Sequence, residues 1–207
     1  LMIGIVNYGL GNVSAFKRIF DDLRVDCLIA ENRNQLQACS KIILPGVGSF
    51  DWAIQRLEHS GMLEELDRLA INVGVPTLGV CVGMQMMLSR SEEGECGGLG
   101  WIDGFSKLIG EVDGEESVRL PHMGWNNLEL LNDCSLVEGL DHPEFYFLHS
   151  YAVSPKDENL IVAHAIYGQN ITAIINRENL WGVQFHPEKS HANGMKLLSN
   201  FSEINNA

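Results

Sequence analysis

Positive charge is scarce in this chain. Fourteen lysines and arginines stand against 27 aspartates and glutamates, a formal net charge of −13 at pH 7. Nucleic acids and anionic lipid surfaces reward clustered Lys and Arg, so neither is expected as a partner. No apolar run is long enough to span a bilayer, and the stretch MIGIV at residues 2–6 is too short and uncharged for a secretion signal. Met2 reads as the native start, with Leu1 a remnant ahead of it. Repeats, low-complexity tracts and linkers are missing too. The five cysteines, Cys27, Cys39, Cys81, Cys96 and Cys134, form no C-x-x-C pair and no zinc spacing. An odd number without a secretion signal reads as reduced thiols in the cytoplasm.

What is present suits one soluble domain. Hydrophobic residues make up 45% and charged residues 20% of 207 positions, enough to fill one core and short for two, so a single domain over residues 1–207 is expected. The first half alternates strand and helix. MIGIVNYG, VDCLIA (25–30), KIILPG (41–46) and PTLGV (76–80) are buried-strand candidates bounded by turn residues. Helical periodicity runs over 13–23, 49–59 and 62–73, the last two parted by Ser60 and Gly61. This βαβ rhythm predicts an α/β fold, a mostly parallel sheet with helices on both faces. FYFLHSY, NLIVAHAIYG, NITAIINR and LWGVQF then read as antiparallel additions, and a helix near 190–203 closes the fold.

One stretch carries a chemical question. In PTLGVCVGMQMML a cysteine stands between Gly79 and Gly83, at the join of an apolar strand and a Met-rich helix. Strand, G-x-C-x-G, helix is the sequence form of a nucleophile elbow, where small residues let two backbones pass. Cys81 would then meet a helix N-terminus, whose free N–H groups favour a thiolate. The Val82 amide could hold an oxyanion. A core cysteine flanked by packing glycines would give the same pattern, so a partner must decide.

That partner lies in WGVQFHPEKS. His186 follows an apolar strand and precedes Pro187, which ends strand pairing. Glu188 is two residues on, and in an extended segment such residues face the same way. A carboxylate there could hold one imidazole nitrogen and leave the other facing a thiol, the logic of nucleophile, base and orienter. LPGVGSF at 44–50 adds a Gly-rich turn after a strand, suited to an anion. Gly46 and Gly48 leave the Val47 peptide free to rotate, which makes its N–H a second candidate oxyanion donor. His122, His149 and His164 lie on different elements, and no metal site is expected among them.

Taken together and in order, NYGLGN, LPGVGSF, GVCVGMQMM, LPHMGWN, YFLHSY and GVQFHPEKS resemble the triad-type, or class I, glutamine amidotransferases. Within them the likeness is to the glutaminase subunits of imidazole glycerol phosphate synthases, from residue 3 to about residue 201. The resemblance implies a flavodoxin-like amidotransferase fold, with Cys81 as nucleophile, His186 as acid and base, and Glu188 as its orienter. It implies that Gln85, Glu93 and Ser150, with the amides of Gly46 to Gly48, hold L-glutamine. Metal and organic cofactors are not called for. It further implies a (β/α)8-barrel cyclase as partner subunit in a heterodimer, with ammonia passing through the barrel. Asn12, Met123, Trp125, Tyr146 and Lys189 match positions that face that barrel, although Trp125 could equally be core.

The ammonia acceptor stays open. In histidine biosynthesis it is a phosphorylated ribulose aminoimidazole precursor, converted to imidazole glycerol phosphate and AICAR. Asn7, NVSAF, CVGMQM, GLGWI and the acidic SRSEEGECGGLGWIDGFSKL look more like a paralogous branch. That branch supplies ammonia for acetamidino sugars of surface polysaccharide. Two rival classes have less in their favour. A cysteine peptidase on a related fold would share the elbow but not HPE together with PGVG, and an inactive scaffold would lack part of the triad.

Overall fold

The computed structural model describes residues 1–110 and 118–204. Its centre is an eight-stranded sheet fed by both halves of the chain. The first half supplies β1 (Ile3–Val6), α1 (Val13–Leu23), β2 (Cys27–Ala30), α2 (Arg33–Gln37), β3 (Lys41–Gly46), α3 (Phe50–His59), α4 (Leu63–Asp67), β4 (Thr77–Cys81) and α5 (Val82–Met86). After it come β5 (Leu88–Ser91), β6 (Ile102–Leu108), β7 (His122–Asn127), β8 (Glu129–Leu130), β9 (Glu144–His149), β10 (Tyr151–Pro155), β11 (Ile161–Tyr167), β12 (Gln169–Arg177), β13 (Leu180–Val183) and α6 (His191–Glu203).

The central sheet runs β2-β1-β3-β4-β13-β12-β11-β8. Its first five strands are parallel, and β12, β11 and β8 continue it antiparallel. Every residue of β1, β3, β4 and β13 is buried. Since successive side chains point to opposite faces, an unbroken buried run means that both faces are covered. Helix α1 forms where Asn12 caps it, its side chain accepting the Ala15 N–H at 3.2 Å, and it buries Phe16 and Phe20. The smaller sheets β10-β6-β5 and β7-β9 stand apart from this core sheet. No helix among the described residues is long and apolar enough to cross a membrane.

Several expectations need correcting. LWGVQF is antiparallel on one side only: β13 pairs antiparallel with β12 but lies parallel beside β4, at the border of the sheet's parallel half. FYFLHSY is two strands, β9 and β10, split at Ser150 into different sheets. The helix expected over 62–73 narrows to α4, and residues 68–73 widen into a π-helical turn. There the Asn179 amide takes the Ala70 carbonyl at 2.7 Å, a side chain inserted into the helical ladder. The Met-rich helix after Cys81 is only five residues long, because β5 begins at Leu88. Helix α2 and strands β5 to β8 were not anticipated at all. Helix α2 and β8 are short, and β5 and β6 carry exposed and buried residues without clean alternation. Strand β7 alternates in burial but turns its apolar Met123 and Trp125 outward, so HMGWNN shows no buried apolar period.

Candidate active site

Ligand sites of open α/β sheets lie at the carboxyl ends of the strands. Here β3, β4 and β13 are adjacent there, and Gly46 of β3 sits in register with Cys81 of β4. The chain turns so sharply after β4 that Cys81 is forced to φ 55°, ψ −113°. A side chain held in so sparsely populated a region costs about 1–3 kcal/mol, and surrounding structure must impose it. The glycines do so by letting backbones touch. A Cβ on Gly83 would lie 1.9 Å from the Leu44 carbonyl oxygen, and one on Gly79 would lie 2.9 Å from the Gly83 backbone.

His186 and Glu188 meet as expected, by a different route. His186 Nδ1 is 2.8 Å from Glu188 Oε1, and each side chain is only 2% exposed. The segment is not extended, however: Pro187–Lys189 form a 3-10 turn, which swings Glu188 back under the ring. Burial is the largest influence on His186 and disfavours its charge. The interactions with Cys81 and then Glu188 outweigh it and raise the ring to about 10, so His186 is cationic at neutral pH. The Cys81 sulfur accepts from Gln184 Nε2 at 3.6 Å and lies 3.8 Å from the Leu148 carbonyl oxygen.

Of these groups Cys81, His186 and Leu148 line one cavity of about 290 Å³, near the small end of ligand-binding sites, and Glu188 and Gln184 do not reach its wall. Cys81, Val82, His186 and Lys189 face it, with Gln85, Glu93, Ser150, Val47 and Gly48. Val82 opens α5, so its N–H has no partner within that helix. Gln85 spends its amide nitrogen on the Tyr151 carbonyl (3.0 Å) and on Gln184 Oε1 (3.2 Å). Glu93 Oε2 accepts the Phe50 N–H at 2.9 Å, capping α3 where Ser49 makes no side-chain cap. Gly48 has a positive φ of 86°, a region that glycine enters without strain. Gly46 differs from its expectation. It does not line the cavity, and a Cβ there would lie 2.4 Å from the Gly83 nitrogen, so glycine serves close packing rather than peptide rotation.

Four of the expected docking residues, Met123, Trp125, Tyr146 and Lys189, gather beside the cavity. Met123 and Trp125 on β7 are 64% and 46% exposed, which removes the core reading of Trp125. Trp125 pairs across the ladder with Tyr146 and stacks on His191 at 5.3 Å, while Lys189 Nζ sits 5.9 Å over the Tyr146 ring. Asn12 is exposed and occupied as the α1 cap. Sequence reading missed Gln184, Leu148 and the pairing of His122 with His149, whose Nδ1 and Nε2 are 3.0 Å apart. An i, i+2 repeat of His and Gln ending in HPE was the available signal for Gln184. Nothing local signals the histidine pair, because β7 and β9 meet only in the fold. His164, on β11, takes no part in it.

Comparison with known proteins gives one answer. The model of the family described as Glutamine amidotransferase class-I matches residues 5–204. The chain is 45% identical over 204 residues to proteins from Leptospira interrogans and Bdellovibrio bacteriovorus, covering 98% of this chain and 100% of each relative. Both bear the name imidazole glycerol phosphate synthase subunit HisH, as does a relative from Methanocaldococcus jannaschii, 41% identical over 205 residues. In shape the chain resembles a crystal structure of a glutamine amidotransferase, with a TM-score of 0.74, 16% identity, and 98% and 99% of the two chains covered. The structure of PurLQS from Thermotoga maritima follows at a TM-score of 0.69 and 16% identity, over 97% of this chain and 96% of that one. At such identities the likeness is one of fold.

Proposed function

This chain belongs to the class I glutamine amidotransferase family, and from that premise we propose that it is the glutaminase subunit of an imidazole glycerol phosphate synthase. It hydrolyses L-glutamine through Cys81, His186 and Glu188 as one domain over residues 1–207, in the cytoplasm. The observation that carries the reading is the buried His186–Glu188 pair, 2.8 Å apart, set beside a strained cysteine in a small cavity. The cationic imidazole favours a thiolate at Cys81. That thiolate attacks the side-chain amide carbon of glutamine, and the tetrahedral oxyanion is held by the N–H groups of Val82 and Val47. His186 gives its proton to the departing ammonia. As a neutral base it then activates the water that cleaves the γ-glutamyl thioester and takes up the water proton. Gln85, Glu93, Ser150 and the Val47–Gly48 turn position the substrate.

The ammonia goes to a second polypeptide. The exposed Met123–Trp125 face, with Asn12, Tyr146 and Lys189, receives a (β/α)8-barrel cyclase, and ammonia passes through the barrel to the histidine-pathway precursor. The relatives' printed names support that acceptor. The test is glutamate release by the purified chain, alone and with its barrel. Serine at Cys81 abolishes release, whereas serine at Cys27, Cys39, Cys96 or Cys134 singly leaves most of it. A comparable loss at a second cysteine refutes the nucleophile. Formation of imidazole glycerol phosphate from glutamine by the pair supports the pathway. Ammonia transfer only in the presence of a sugar-modifying enzyme assigns the chain to the polysaccharide branch instead.

A further inference from the structure

One chain of hydrogen bonds in this molecule has a direction that chemistry dictates. His149 stands at the end of β9, beside the break at Ser150, and its Nδ1 lies 2.9 Å from the Tyr151 carbonyl oxygen. A carbonyl only accepts, so Nδ1 carries the proton. In a neutral ring Nε2 is then a bare acceptor, and it faces His122 Nδ1 at 3.0 Å, which must donate. The remaining nitrogen of His122, Nε2, receives Asn126 Nδ2 at 3.2 Å. The Asn126 amide is itself oriented twice, Nδ2 donating to the Ile166 carbonyl at 2.9 Å and Oδ1 accepting the Asn127 N–H at 2.9 Å. Every link allows one proton position.

The neutrality this requires is built in. His122 is stacked between Phe147 and Tyr167, with ring centroids 4.7 and 4.1 Å away. Both imidazoles are buried, and burial holds His122 down to about 4 and His149 to about 3. The chain continues toward the thiol. The Tyr151 carbonyl also accepts Gln85 Nε2 at 3.0 Å, and that nitrogen's second proton goes to Gln184 Oε1 at 3.2 Å. With its oxygen so occupied, Gln184 can only turn its nitrogen to the Cys81 sulfur, 3.6 Å away. The start of this path lies on β7, the strand whose other face exposes Met123 and Trp125.

We propose that His122 and His149 are positioning residues. Locked in one proton order, they hold the Tyr151 carbonyl and, through Gln85 and Gln184, set the N–H donor that orients the Cys81 sulfur. The role rests on Cys81 being the nucleophile, and it ties the exposed β7 strand to that nucleophile without touching substrate.

The test uses the chain with its barrel subunit and L-glutamine, and iodoacetamide with the chain alone. His122→Phe keeps the stack and deletes the donor, while His122→Asn keeps a donor near Nδ1. The phenylalanine variant is expected to lose roughly tenfold to a hundredfold in kcat, the scale of a misplaced reacting group, with KM within about twofold. Alkylation of Cys81 slows in parallel, and the asparagine variant recovers most of both. A plain packing role would give no such split and no rescue. Long-range ¹H–¹⁵N spectra of the unmodified chain at neutral pH need no variant to fold. Both rings are expected as Nδ1–H tautomers, and an Nε2–H tautomer at either overturns the proton order. Unchanged kcat and alkylation in a folded His122→Phe overturn the positioning role while Cys81→Ser remains inactive. Glutaminase activity surviving in Cys81→Ser instead removes the reading beneath it.

Discussion

Replacing Cys81 by glycine and, separately, by alanine measures the strain stored in the elbow. Both changes delete the sulfur and its contacts with Gln184 and Leu148, so their difference isolates a Cβ at φ 55°, ψ −113°. At a relaxed buried position glycine would trail alanine. It gives up about 0.5–1 kcal/mol to the freedom of the unfolded chain and about 0.8 kcal/mol of methyl burial. At this position glycine also sheds the about 1–3 kcal/mol that a side chain costs in so unfavourable a region. The deficit is thereby largely or wholly offset. Glycine is expected between about 0.8 kcal/mol below alanine and about 1.7 kcal/mol above it. Urea titration reads the difference directly, and in thermal melts each kcal/mol corresponds to about 2–4 °C at this chain length. Neither variant releases glutamate, so any gain in stability accompanies a dead enzyme. A glycine variant more than about 1 kcal/mol below alanine would mean that the elbow holds no strain, and that the close packing of Gly79, Gly83 and Gly46 fits Cys81 without forcing it.

Other consequences are quicker to state. Val47→Pro deletes one proposed oxyanion donor and should cost roughly 10²–10³ in kcat of the complex. Glutamine affinity on a Cys81→Ala background should barely change, and a kcat within a few-fold of the parent rules Val47 out. His122 and His149 titrate near 4 and 3 when folded but at about 6.5 when unfolded. The unfolded chain therefore binds the extra protons, and stability is lost as pH falls from about 6.5 toward 3. His186, raised to about 10, has the opposite sign: its contribution is complete below about 6.5 and declines as pH rises toward 10. Urea midpoints of His149→Gln should fall less steeply on acidification than those of the parent, and an equally steep acid limb contradicts the buried neutral pair. Trp125→Ala should weaken binding of the barrel subunit in calorimetry while leaving the melting of the isolated chain nearly unchanged.

The parallel half of the fold was legible because its strands are buried on both faces and leave unbroken apolar runs, as in KIILPG. LWGVQF was read correctly on its β12 side and missed on its β4 side, for an instructive reason. A strand's partners are set by the sheet order, and β13 inserts beside β4 across a gap of about a hundred residues that carries no local trace. The motif residues that touch the cavity were also legible, since Cys81 and His186 sit in punctuated stretches with glycine or proline beside them. Glu188 was found for the wrong reason, its approach depending on a 3-10 turn rather than on extended geometry. The polar path through His122, His149 and Gln184 was invisible, because its main links join residues 27, 99 and 103 positions apart in the sequence. Strands β5, β6 and β8 leave too little regular periodicity to read, and β7 alternates with its apolar side chains on the exposed face.

Strands β3, β4 and β13 run side by side and in step, with Gly46 opposite Cys81 and Val80 opposite Val183. One residue beyond Val183 is Gln184, which therefore comes level with the cysteine. Peptide hydrogen bonding spaces such neighbours by about 4.8 Å, and the spacing belongs to the backbone rather than to any side chain. Loop, thiol and amide donor thus stand like marks on a ruler whose graduations mutation cannot edit. Strands β7 and β9 supply side chains that orient what stands on this ruler, while the spacing itself comes from the three central strands.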